Sequence, residues 1–392
     1  MDSITNSSAV RIVLANRNLA GYPEGGGHWA CLLQHFLGLL ELKHDVFWFE
    51  LLYSTGDRAL DLHWTNAFFE RMKAYDLHER SALMLKKPAV AQSLDALEFH
   101  GKCRSEIEEI ARTADVVWNY ASSFDEPLMS MFKRRVLIDL DPGLTQVCAA
   151  LNLEMGQDCH EVFLTVGSKL ADADCEIPKG GKDWKPFPPV LYLPWWKPCE
   201  DPGPTAPFTS VAHWNWDEVW FKGRVLSCSK REAYFNYLDL PSLAKRPFEL
   251  AAYIHPEDPA GDDKALAERG WRLCNPYEVC PSPAGYRRYI QRSRAEFCCA
   301  KPIYHQLKTG WISDRSACYL ASGRPVLAEE TGFSDHFPTG RGLIAFKDMK
   351  QAVAGVEEID SNYRPHSIAA RELAEEYFDS RKCLTNMLAA CQ

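Results

Sequence analysis

The chain has 392 residues, 46% of them hydrophobic and 25% charged, with 44 basic and 53 acidic side chains for a net charge of −9. That is a globular composition long enough for two domains or one large one, and it excludes wholesale disorder. The net acidity argues against broad phosphate-backbone binding, although a local basic groove remains open. The 12 Trp, 15 Tyr and 19 Phe suit an enzyme with aromatic-lined clefts, and the 14 cysteines include no C-x-x-C pair. Metal-binding spacing is therefore absent, and free thiols in a reducing cytoplasm are expected. The polar first ten residues and the lack of a long apolar run predict neither a signal peptide nor a membrane span.

Residues 1–9 read as a loose tail, and Val10–Asn16 as a strand rich in β-branched residues. A glycine-rich turn, Gly21–His28, follows. Trp29, Leu32, Leu33, Phe36, Leu37 and Leu40 then recur with helical spacing before a second strand at Asp45–Glu50. Strand, turn, helix and strand in that order make a βαβ opening, the building unit of parallel sheets. Residues 51–105 read as mainly helical and polar. Further strands are expected at 116–120, 135–141, 161–167 and 189–194. Lys197–Phe208 carries four prolines and a glycine and reads as a linker.

Alternation resumes beyond it. Strands are expected at 210–214, 248–254, 271–274 and 295–300, and helices at 229–238, 265–270 and 284–292. In Gly310–Phe346 Ser313 suits the N-cap of a short helix, and Gly323 and Pro325 stop it. Pro325–Ala328 reads as a buried strand and Leu343–Phe346 as another. Two helices close the chain, with apolar faces at Ala370, Leu373, Ala374 and Tyr377 and at Leu384, Met387 and Leu388. The expected architecture is α/β, two Rossmann-like doubly wound domains facing across a cleft where a substrate sits.

Several residues in this pattern have chemistry to offer. Gly25, Gly26 and Gly27 would let a ligand approach backbone amides at a helix start, which favours an anion. His28 stands where a general base could be, the plainer reading being a helix cap. Asp139-Leu-Asp141 resembles a weak cation-binding D-x-D pattern, or else a strand end whose aspartates line a cleft. Lys222, Arg224, Lys230, Arg231, Lys301, His305 and Lys308 could supply cations for a diphosphate. Arg315, in the first turn of its helix, opposes the helix dipole, and an anionic ligand would relieve that conflict. Asp314, Glu329 or Glu330 could accept ribose hydroxyls, and a base could stack or bond its edge at Asn275.

From Glu296 through Phe378 the chain resembles the C-terminal half of bacterial GT-B glycosyltransferases of the family 1 and family 4 kind. The words that carry it are AKPIYHQLKTGWISDRSACYLASGRPVLAEETGF, PTGRGLIAF and AAREL-AEEYF, with GGGH and DLDPG upstream. The resemblance implies an acceptor domain over residues 1–200, a nucleotide-sugar domain over 201–365, and helices over 366–392 that cross back. It implies transfer of a hexosyl unit from a nucleoside diphosphate sugar, most simply a UDP-sugar, with no other cofactor and no metal. His28 and Asp141 would be catalytic. Lys222, Lys230, Asn275, Lys301, Ser313, Asp314, Arg315, Ser316, Glu330, Thr331 and Gly332 would hold the donor. Gly25, Gly26, Gly27, Asn119 and Asp139 would meet the acceptor. Where retaining members carry two glutamates ahead of the G-x-P-V segment, this chain has Gly310 and Cys318, so Asp314 or Glu330 inherits the ribose contact. An epimerase or hydrolase, a DNA-base glycosyltransferase and a non-catalytic sugar-nucleotide binder stay open as alternatives.

Overall fold

The computed structural model describes residues 9–88, 93–153, 155–255, 257 and 260–391. The tail expected over residues 1–9 lies, but for its last residue, outside them. Two sheets organise the chain. The first contains β1 (Arg11–Arg17), β2 (Asp45–Tyr53), β3 (Ser81–Lys86), β4 (Leu97–His100), β5 (Val116–Tyr120), β6 (Arg135–Asp139), β7 (Val162–Thr165) and β8 (Trp184–Pro186). Their order is β4-β3-β2-β1-β5-β6-β7-β8, parallel except for the antiparallel edge strand β4. β1 is buried on both faces, as parallel strands are. Ile12 and Leu14 pack under Trp29, Leu33 and Phe36 of the Gly26–Glu41 helix, while Val13 and Ala15 meet Ile107, Ile110 and Ala111 on the other side.

The second sheet holds β9 (Phe208–Ala212), β12 (Phe248–Ala252), β13 (Trp271–Cys274), β14 (Ala295–Cys298), β15 (Val326–Glu329) and β16 (Leu343–Phe346), in the order β13-β12-β9-β14-β15-β16. Between β9 and β12 the chain inserts a hairpin, β10 (Glu218–Phe221) and β11 (Arg224–Ser227). The two doubly wound sheets are those expected.

Three local expectations differ from the structure. Within 51–105 the chain does form the Arg58–Ala74 helix, but β3 and β4 follow it. The β3 run SALMLK is almost wholly buried and shows no period-two alternation, so its polarity pattern carries no strand signal. Pro189–Pro194 is no strand. Its prolines remove ladder donors, and Leu191 instead receives a bond from Ser380 N and gives one to Phe378 O, each 2.8 Å. The hairpin was not anticipated, although Lys222 and Gly223 take φ of 48° and 78°, the left-handed pair a tight hairpin turn requires.

The last helix, Ser380–Ala390, returns to the first layer. It packs so closely on the Gly26–Glu41 helix that a Cβ at Gly38 would stand 2.5 Å from Leu384 Cδ1 and 2.8 Å from Ser380 Cβ. Among the described residues no helix is long and apolar enough to cross a membrane.

One buried carboxyl ties β2 to the loop that leads into the glycine-rich turn. Glu50 accepts from Ala20 N at 3.0 Å and Trp48 Nε1 at 3.1 Å. Desolvation pushes its pKa from 4.5 up to about 7 against those donors. Between these two values the unfolded chain has lost the proton and the folded chain retains it. The stability this group contributes is thus full below 4.5 and is lost as pH rises to about 7. At about 1.4 kcal/mol per pH unit the loss is on the order of 3 kcal/mol. Urea unfolding at a series of pH values should show Glu50→Gln lacking this part of the slope; parallel slopes for the two proteins would contradict the assignment.

Candidate active site

In an open parallel sheet the ligand crevice lies beyond the strand carboxyl ends, where the winding direction reverses. In the second sheet that point is between β9 and β14. Their ladder holds only at Phe208↔Ala295 and Thr209↔Glu296, and the strands part beyond it. Arg315 fills the gap. Its Nη1 donates to Val211 O at 2.7 Å, its Nε to Glu296 at 2.5 Å and its Nη2 to Cys298 Sγ at 3.2 Å. Glu296 is fully buried. Desolvation opposes the Arg315 charge, but Glu296 overcomes it and holds the guanidinium above its usual range. The expectation that Arg315 awaits an anionic ligand is corrected here: a carboxylate of the same lobe already answers it. Arg315 seats the Asp314–Ala321 helix, and Ser313 caps that helix by accepting from Arg315 N at 3.2 Å.

His213, directly after β9, and Lys301, three residues past the end of β14, lie at the mouth of this gap. Lys301 Nζ reaches Asp141 of the first lobe at 2.7 Å and lies over the rings of Trp216 and Tyr304 at 5.4 and 5.3 Å. The Tyr304 hydroxyl donates to the same carboxylate at 2.5 Å. Asp141, expected to be catalytic, is therefore a bridge between the lobes. Asp139 is saturated by Thr145 (2.7 Å), Gln146 (2.9 Å), Thr165 (2.8 Å) and Asp141 N (3.0 Å), and fully buried. It builds the DLDPG turn and offers nothing to an acceptor or cation. Asn119, expected beside it, is also spent: its Nδ2 donates to Phe124 O, and its Oδ1 accepts from Phe124 N, each at 2.9 Å.

His28 projects from the first turn of the Gly26–Glu41 helix into the cleft. Its side chain is solvent-accessible, yet protein stands on both sides of it. Desolvation there lowers its pKa, and Asp314 partly counters the shift. His213 is lowered by desolvation and then by His28 and Lys301. Lys230 is buried, donates to the Cys299 carbonyl and lies 4.9 Å from the Trp311 ring. Its pKa is lowered by burial, with Arg315 and Lys301 adding to the effect. Residues dispersed from position 28 to position 315 thus form one basic cluster fed by both lobes. Asp314 faces the first lobe, where burial and then its negative charge push the Cys31 thiol up. Ser316 is fully buried one turn in.

The glycines serve a different purpose from the expected one. Gly26 N donates to Cys280 O at 3.0 Å, and a Cβ there would lie 2.3 Å from that oxygen and 2.4 Å from Ser282 O. A Cβ on Gly27 would come 3.2 Å from the Tyr286 ring. Gly25 N closes a turn onto Tyr22 O at 2.9 Å. The run lets the two lobes approach backbone to backbone, so Gly26 has no amide left for a ligand.

A second seam lies on the far side. Ser168 Oγ donates to Gly310 O at 2.9 Å, Lys169 N to Thr309 O at 3.2 Å, and Lys169 Nζ pairs with Asp335 at 2.9 Å. Above it Thr331 is buried and its hydroxyl is given to Trp311 O at 2.6 Å, while Glu330 accepts from Gly332 N at 2.6 Å. Glu330-Thr331-Gly332 is thus a self-bonded turn, with Gly332 at φ +98°. Neighbouring Glu329 accepts from Ala300 N at 3.0 Å and the Tyr237 hydroxyl at 3.2 Å. Asn275 caps a short helix through Tyr277 N at 3.0 Å. Lys222 lies in the hairpin turn with its Nζ over Phe221, and is not brought into the basic cluster.

Residues not singled out from sequence complete the site: His213, Trp216, Tyr304 and Trp311 around the cations, and Tyr253 and Tyr277 beyond the ends of β12 and β13, their rings 5.7 Å apart. His213 directly follows β9 as observed, whereas the strand expected at 210–214 would have enclosed it. The others depend on tertiary contacts.

No family model and no curated protein sequence matches the chain. Solved structures match its fold along nearly its whole length. An alpha-glucosyltransferase in complex with UDP and a 13-mer DNA containing an HMU base superposes with a TM-score of 0.58 at 11% identity, over 98% of this chain and 100% of that one. The Anabaena HepE protein in complex with UDP and glucose gives 0.58 at 12% identity, over 96% and 99%. A trehalose-6-phosphate protein from E. coli bound with UDP-2-fluoro glucose gives 0.54 at 11% identity, over 97% and 98%. The likeness shows the fold, and it is the GT-B architecture of two facing Rossmann-like lobes that the sequence resemblance implied.

Proposed function

We propose that this protein is a glycosyltransferase that moves a sugar from a nucleoside diphosphate sugar, with UDP as the leaving group, to a hydroxyl of an acceptor in the cleft. The observation that carries this is the basic cluster at the β9/β14 switch point. Lys230, Lys301 and His213 stand there beside the start of the Asp314–Ala321 helix, opposite His28 of the other lobe. A diphosphate bound there would meet two cations and the helix amides, and would offset the burial that lowers Lys230 and the lesser repulsion from Arg315 and Lys301. The base would extend towards Tyr253 and Tyr277. UDP and UDP-sugar derivatives occupy the neighbours of this fold, which supports uridine as the nucleoside.

In the reaction the acceptor oxygen bonds to the anomeric carbon as the bond from that carbon to the diphosphate oxygen breaks. The negative charge that develops on the diphosphate is stabilised by Lys230, Lys301 and the helix amides, already in place before reaction. His28 takes the acceptor proton. Its lowered pKa keeps the imidazole neutral near pH 7, the form a base requires. Residues 1–200 then serve the acceptor and 201–365 the donor, with 366–392 strapping the two together. The free thiols fit a reducing, cytoplasmic setting.

Lys301 gives the test of the donor assignment. Calorimetric titration should show Lys301→Ala binding UDP roughly tenfold to a hundredfold more weakly than the parent, the range for a lost charge-assisted hydrogen bond. Equal affinity would remove Lys301 from the donor site.

A further inference from the structure

Two tryptophans at the cleft rim are left in water. Trp216 is 51% exposed and Trp220 63%. Neither exposure comes from a loose segment. Trp220 sits on β10 directly opposite Val225, and the reverse face of the hairpin inserts Phe221 and Leu226 into a cluster with Val147 of the first lobe and Ile303 and Tyr304 of the second. Trp216 is held edge-on to the His213 ring at 5.0 Å and carries Lys301 Nζ 5.4 Å from its centre. It is therefore continuous with the basic cluster, and the hairpin extends that surface outward.

A rigid, exposed indole beside a reaction centre offers a flat apolar face with polar surroundings. A pyranose ring matches it: its C–H face stacks on the indole and its hydroxyls stay free at the rim. The local charge selects among flat ligands. From His213 to Arg224 the segment carries Asp217 and Glu218 against Lys222 and Arg224, so its charges cancel. The basic stripe that tracks a nucleic-acid backbone is missing from it.

We propose that Trp216 and the β10–β11 hairpin form a stacking platform for a neutral saccharide acceptor, with Trp216 holding the sugar ring that receives the transferred unit. The proposal rests on the transferase reading and names its acceptor class. Trp216 orients that ring so that a rim hydroxyl faces His28, and Trp220 supports the next unit of a longer saccharide.

The test uses the full chain, with maltotriose, cellotriose, chitotriose and mannotriose as probes, read by tryptophan fluorescence, and UDP affinity measured alongside. At least one trisaccharide should bind. Trp216→Ala should weaken it by roughly tenfold or more, as loss of a stacking ring does, a larger loss than any in UDP affinity. Trp216→Phe should retain most of the affinity, and Trp220→Ala should lose part of it. Binding of no trisaccharide by the parent, or equal binding by Trp216→Ala, overturns the proposal. So does binding of a thymidine oligonucleotide on these indoles in place of saccharide, and so does a Trp216→Ala loss of UDP affinity as large as its loss of saccharide affinity. Saccharide binding at Trp216 in a protein that takes no UDP would uphold the platform and remove the transferase reading. UDP binding without any saccharide would do the reverse.

Discussion

Replacing His28 by alanine should slow glycosyl transfer by about a hundredfold or more while UDP binds as before, since general-base catalysis contributes on that scale. The expectation rests on where the side chain stands. It leaves the first turn of the helix after β1 and enters the cleft from the lobe opposite the cations, so it can reach an acceptor hydroxyl without crowding the diphosphate. Asp314, not Asp141, is its charged neighbour. Its lowered pKa adds a second readout. The imidazole stays neutral further into acid than a free histidine, so the acidic limb of the rate profile should fall below pH 6.5, the ordinary histidine value. A His28→Ala variant with unchanged turnover would move the base elsewhere, and an acidic limb above that value would contradict the desolvated setting.

Arg315→Met should destabilise the fold by about 3–5 kcal/mol, the cost of leaving a buried charge without its partner. Glu296 is fully buried, and its Oε2 already lacks a hydrogen-bond partner. Removing the guanidinium also frees Val211 O and detaches the first turn of the Asp314–Ala321 helix from β9 and β14. Arg315→Lys should restore only part of the loss, because a single ammonium cannot copy three directed contacts. Urea unfolding measures both variants. A normally stable Arg315→Met protein that had merely lost UDP affinity would reinstate the direct phosphate contact expected from sequence.

The contrast between these two residues shows where sequence reading succeeds and where it stops. The β1–helix–β2 unit is legible because Trp29, Leu33 and Phe36 repeat at helical spacing between two apolar runs. The Ser313 cap and the Gly323–Pro325 stop are legible because each is a local rule. β3 is hidden because a strand buried on both faces has no alternation. The Pro189–Pro194 segment misleads because its backbone partner, the Phe378–Ser380 crossing, is nearly half the chain away. The same limit governs the site. That Arg315 opposes a helix dipole is visible in one dimension, but that Glu296 neutralises it is not. The glycines of Gly25–Gly27 announce a close approach without saying that Cys280 and Ser282 are what approaches. His213 shows the same limit: the strand expected at 210–214 runs through it, and only the observed end of β9 at Ala212 puts it at the mouth.

Glycosyl transfer in this cleft requires the β9/β14 mouth to be a nucleoside diphosphate site, and titrating UDP into the wild-type chain tests that most directly. Saturable binding is predicted, with unfolding stabilised by about 2.7 kcal/mol when UDP is at a hundred times its dissociation constant, and with both effects weakened in Lys301→Ala. Absence of binding and of any stability shift with UDP would contradict it.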